Sequence, residues 1–180
     1  MRKSVLYIMS AVGALSAVAV FGLAGPANAD SGDTAVTLDL SGGAVSISVP
    51  PSASLSGTIG TTPISGPLGT VTVTDSQGSS SPSWTTSVDM TNFNAPPASG
   101  FAPIPVTNVT YDPGTVTRVN NTGTATPVTF TGEFVAAPTV TATGGSGINS
   151  ATWNPTLSVV IPPTAVATTY TATLTHSTVP

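Results

Sequence analysis

The stretch Thr70-Val71-Thr72-Val73-Thr74-Asp75-Ser76-Gln77-Gly78 reads as a strand that runs into a reverse turn. Valine and threonine alternate with period two, the period at which strand side chains change face, and both are β-branched. Asp75 and Gly78 then supply the short carboxylate side chain and the glycine that a reversing backbone favours. Beyond that turn, Trp84, Val88 and Met90 line one side of a further strand, with Thr85, Ser87 and Asp89 on the other.

The same alternation continues outward in both directions. Val36, Leu38 and Leu40 predict a first strand, and Val45, Ile47 and Val49 a second. Leu157, Val159 and Ile161 predict a later one, and Tyr170, Ala172 and Leu174 the last. Turn chemistry separates these runs at Ser41-Gly42-Gly43, Asp112-Pro113-Gly114 and Gly144-Gly145-Ser146-Gly147. Pro50-Pro51, Pro96-Pro97 and Pro162-Pro163 lack the N–H that a central strand must donate, so they mark strand ends. Residues 50–67 and 94–103 are expected to be loops with little regular structure. Nothing past residue 29 carries a capped helical stripe. The expected fold is all-β, an antiparallel β-sandwich preferred to a barrel, forming one domain over residues 30–180.

Residues 1–29 read as a signal peptide. Arg2 and Lys3 precede an apolar run from Val5 to Ala24, and Ala27 and Ala29 place small residues before a cleavage point at Asp30. The other reading is a retained anchor, since the run approaches the length of a spanning helix; Gly13, Gly22, Gly25 and Pro26 argue against it. A secreted, extracellular protein is expected, with no membrane span after cleavage. The chain has no cysteine, so neither a lipid thioether nor a disulfide is available.

Past residue 29 seven acids face a single basic residue, Arg118. Such a chain has no footprint for a phosphate backbone, which excludes nucleic acid as a partner. The remaining polarity is neutral hydroxyl and amide, suited to uncharged partners.

Several blocks together resemble a known family. Leu68 to Asp75 leads through a Ser/Gly turn to Trp84-Thr85-Thr86-Ser87-Val88; later come Ala151-Thr152-Trp153-Asn154-Pro155-Thr156-Leu157 and Tyr170 to His176. This layout resembles the WxL domain, and most of all its actinobacterial relatives. Trp84 is followed by Thr85 and Thr86, and Trp153 reaches Leu157 four residues on, so the tripeptide that names the family is altered at both sites. The resemblance implies a β-sandwich at the cell surface, held non-covalently to peptidoglycan or another cell-wall glycan.

The candidate ligand-binding residues are Trp84, Trp153 and Asn154. An exposed indole stacks on a sugar face, and Asn154-Pro155 could kink the chain so as to expose Trp153. Against this, Trp84 shares the strand phase of Val88 and Met90, which points it into the core. His176, the sole histidine, has no local nucleophile or carboxylate to make it a base, and one histidine without cysteine does not make a zinc site. The carboxylates are too sparse for a glycosidase pair. Asp30 and Asp33 read as part of a solvated segment, and the Thr-x-Thr runs as outward faces of ordinary strands. No catalytic residue, metal or cofactor is expected. Two functions remain open: binding to cell-wall glycan, or assembly with other surface proteins without glycan affinity.

Overall fold

The computed structural model describes residues 34–180, so the signal peptide expected at Met1–Ala29, and Asp30 and Asp33 with it, lie outside the described residues. Residues Asp39–Pro180 form one compact unit. It contains eleven strands among the described residues: β1 (Val45–Ser48), β2 (Ile64–Pro67), β3 (Val71–Asp75), β4 (Ser83–Met90), β5 (Val109–Asp112), β6 (Thr117–Val119), β7 (Val128–Thr129), β8 (Ala137–Thr143), β9 (Asn149–Trp153), β10 (Thr156–Val159) and β11 (Leu174–Val179). One short 3-10 turn, Val106–Asn108, precedes β5. No helix among the described residues is long and apolar enough to cross a membrane.

The strands make three antiparallel sheets packed as a β-sandwich, in the orders β1-β3-β9-β6, β2-β10-β5-β7 and β11-β4-β8. The first two sheets are halves of one creased layer. Three passes of the chain each give one strand to either half: β2 then β3, β5 then β6, and β9 then β10. The crease falls where the ladder is interrupted, at Gly69, Pro113-Gly114 and Asn154-Pro155. Gly69 has φ +97 and Gly114 φ +63, a left-handed backbone that glycine adopts without a Cβ clash. Across the crease the Leu68 N–H donates to the Pro155 carbonyl at 2.8 Å.

The eight-residue strand β4 is the wall common to both halves. Its buried face, Trp84, Thr86, Val88 and Met90, follows the period-two pattern of the sequence. Trp84 packs with Val71, Val73, Val140, Ala142, Ala151 and Trp153. Val88 and Met90 pack with Val109, Tyr111, Phe130, Leu157 and Val159. Each buried aliphatic or aromatic side chain contributes roughly 1.5–3 kcal/mol, and this core forms without any disulfide.

Three expectations are corrected. Val36, Leu38 and Leu40 form no strand; Thr34–Ala44 carries no regular structure, and all three side chains are exposed. Residues 50–67 are not all loop, because β2 occupies 64–67 and pairs with β10 in the register Ser65↔Ser158. The last strand starts at Leu174, not Tyr170, though Tyr170 and Ala172 still pack half-buried against the core.

Candidate functional site

Neither tryptophan is available to a ligand. Trp84 is 1% and Trp153 2% exposed. Burial of an indole requires an acceptor for its N–H, and each finds one on a strand of another sheet. Trp84 Nε1 donates to Asn149 Oδ1 at 3.1 Å, and Asn149 Nδ2 donates in turn to Asp75 Oδ2 at 2.9 Å. Asp75, wholly buried, also accepts from the Gln77 N–H, so it closes the turn read in the sequence and anchors this chain of bonds. Asn121 joins the chain at Asn149 Oδ1, and its own Oδ1 accepts from the Arg118 guanidinium at 3.1 Å.

Trp153 Nε1 donates to the Tyr111 hydroxyl at 2.9 Å, and that hydroxyl lies 3.1 Å from His176 Nε2. An indole N–H only donates, so the tyrosine oxygen accepts from Trp153, while the direction of its bond with His176 follows the histidine tautomer. The two rings meet edge to face, with centroids 5.5 Å apart. Burial pushes the Tyr111 hydroxyl up to about 12 and the His176 imidazole down to about 4. Both are therefore neutral at pH 7. Sequence alone did not single out Tyr111; its phase with Val109, just before Asp112-Pro113-Gly114, was the available signal.

Asn154 is exposed, but its side chain serves the fold. Its Oδ1 accepts from the Gly69 N–H at 3.1 Å and holds the crease. The indole-stacking role considered for Trp84 and Trp153 is thus corrected to core packing, and the three candidates do not converge on one surface.

What the fold does open is a groove beside β11. One part, of about 500 Å³, runs between the Val49–Leu55 connection and residues 169–174; Met90, Phe93 and Leu157 form its floor and His176 lies at one side. A second part, of about 580 Å³, continues past Leu55 and Phe93 to Ile64, Ile104, Val159 and Ile161. Apart from the neutral His176, the lining holds no ionisable group other than the Tyr170 hydroxyl. Serine and threonine supply the polarity at its mouth. No group of three or more His, Cys, Asp or Glu that could hold a metal occurs among the described residues. With no carboxylate beside it and its Nε2 engaged by Tyr111, His176 here orients the core.

The outer face of the creased layer is different. Ser48, Thr72, Thr152 and Thr117 stand in one register row across four strands, and Ser65, Ser158, Thr110 and Thr129 in another. Three neighbouring pairs in these rows touch, with hydroxyl oxygens 3.3 Å apart at Thr72 and Thr152, 2.7 Å at Ser65 and Ser158, and 3.0 Å at Thr110 and Thr129. The rows are uncharged hydroxyl at the inter-strand spacing of roughly 4.8 Å, with Asp112 on the same face two residues from Thr110. Comparison with protein-family models, curated proteins and solved structures gave no match for the chain.

Proposed function

We propose that the chain is a secreted, non-catalytic protein of the cell surface that assembles with other proteins by taking an uncharged, partly apolar segment into the groove beside β11. The observation that carries this reading is the groove itself: an apolar floor and a hydroxyl-bearing mouth, without the charged groups that acid–base chemistry or ionic ligands need. Burial of both indoles adds weight, since it removes the two tryptophans as platforms for sugar stacking.

A second reading, attachment to wall glycan as the WxL resemblance implies, is favoured by the two hydroxyl rows. Flat hydroxyl arrays hydrogen-bond sugars, but each bond replaces one to water and contributes only about 0.5–1.5 kcal/mol.

Co-sedimentation with cell walls separates the two. The assembly reading expects retention on walls that carry their surface proteins and release once protease has stripped them. High salt should not elute the protein, because the groove offers no charge to screen. Retention on stripped peptidoglycan would transfer the function to the hydroxyl rows.

A further inference from the structure

Residues Ala35-Val36-Thr37-Leu38-Asp39-Leu40 have the composition and alternation of a strand but form none. Val36, Leu38 and Leu40 are 87%, 79% and 86% exposed, the three most exposed large apolar side chains among the described residues. In an extended segment all three share one face, while Thr37 and Asp39 fall on the other. An unpaired, one-sidedly apolar strand is unfavourable in water, and it matches a surface elsewhere on the fold.

That surface is the groove beside β11. β11 is the edge of its sheet, hydrogen-bonded to β4 on one side only. β1 lies alongside it without pairing. Below the end of β1 the irregular Val49–Leu55 connection leaves the groove open over Met90, Phe93, Leu157 and Leu174. An entering strand would find free backbone groups on β11 and apolar sockets at alternate positions, the two ingredients of recognition by strand addition. Its only charge, Asp39, would face water, and the uncharged lining would meet only Val36, Leu38 and Leu40.

We infer that the Ala35–Leu40 segment of one copy adds as a strand along β11 of a second copy, so that one of the proteins it assembles with is a further copy of itself. This rests on the assembly reading above and names one partner. The path of the chain favours donation between copies. Gly43 donates its N–H to the Ser76 carbonyl at 2.7 Å, beside the β3–β4 turn. Gly42 is pressed so close to the Gln77 carbonyl that a Cβ there would overlap it. The segment therefore departs from the Asp75 end of β3. The groove opens at the opposite end, by Leu68 and Val71. Donor root and acceptor groove lie at opposite ends, so the contact joins unlike surfaces of two copies, and the rotation between them decides whether it closes or repeats into a chain.

The test uses protein collected from the medium of cells expressing the full-length gene. Sedimentation velocity should show a concentration-dependent series of oligomers. Leu38→Asp should weaken association about tenfold or more without changing thermal unfolding, since Leu38 stands in solvent in the single chain. Thr37→Asp, on the other face, should leave the series intact. Because the chain has no cysteine, a mixture of Leu38→Cys and Ala172→Cys proteins should form a disulfide-linked heterodimer on mild oxidation. A wild-type protein that stays monomeric, a Leu38→Asp variant that assembles as well as wild type, or an intramolecular disulfide in a chain carrying both cysteines would overturn the inference. A monomer still released from walls only by protease would leave the assembly reading standing; retention on stripped peptidoglycan would remove that reading as well.

Discussion

The hydroxyl of Tyr111 accepts a hydrogen bond from Trp153 Nε1 at 2.9 Å, and through it β5 of one sheet is tied to β9 of another. The same oxygen reaches His176 on β11, in the third sheet, at 3.1 Å. One buried atom of one sheet thus has partners in both of the others. Hydrogen bonds within a sheet fix strand register, but they leave the packing of one sheet on another to apolar contact, which is not directional. A donor–acceptor chain through the core adds direction: the crease can close only where these three side chains meet in good geometry.

Tyr111→Phe removes the oxygen and keeps the ring. It leaves the Trp153 N–H buried without an acceptor, at a cost of about 1–3 kcal/mol. The variant should also respond differently to alkali. Tyr111 keeps its proton to about 12 in the folded chain against 10.0 in the unfolded one. Its contribution is therefore complete below pH 10 and is lost as pH rises towards 12. Urea midpoints at pH 8 and pH 11 should fall further apart for wild type than for Tyr111→Phe. An equal fall in both would show that the hydroxyl is not the group responsible.

His176 acts at the other end of the pH scale. Burial holds the folded imidazole down at about 4, while the unfolded one takes up a proton from 6.5. The stability it contributes is complete above pH 6.5, declines as pH falls towards 4 and levels off below. His176→Gln can still hydrogen-bond Tyr111 but does not titrate. The difference in stability between wild type and variant should narrow, or change sign, between pH 7.5 and pH 4. The carboxylates common to both proteins cancel in that difference. Parallel curves over this window would refute the assignment.

Thr86 offers a stabilising change. It is wholly buried on β4, opposite Thr178 of β11, and neither hydroxyl has a hydrogen-bond partner. Valine has nearly the same shape without the hydroxyl, so Thr86→Val should raise stability by about 1–2 kcal/mol. Thermal or urea unfolding measures this directly. A loss of stability would mean that the Thr86 hydroxyl is satisfied by a buried water.

Much of the interior was legible from alternation. The β4 face of Trp84, Val88 and Met90 and the Val71/Val73 face of β3 are where period two places them, because the strand pleat is a local property of the backbone. The Asp75–Gly78 turn was legible for the same reason. Less visible was β2: Ile64-Ser65-Gly66-Pro67 is too short, and too rich in glycine and proline, to announce a strand, and it exists because β10 pairs with it. Val36 to Leu40 erred the other way, with a convincing pattern and no partner strand among the described residues. Alternation says which residues would share a face; it does not say whether another strand will come to cover it.

By itself, then, the sequence determined an all-β chain, the inward phase of its principal strands, the sites of its turns and a composition with a single basic residue past residue 29. These follow from steric preference, period and charge, which act within a few residues. Only the tertiary structure decided that both indoles are buried, that Asn154 holds the crease at Gly69, and that Trp153, Tyr111 and His176 meet across 65 residues of chain. It alone opened the groove beside β11 and left Val36, Leu38 and Leu40 uncovered. Those outcomes depend on which distant strands pair and pack, and pairing is selected by the whole set of contacts formed at once, information that no local window of sequence carries.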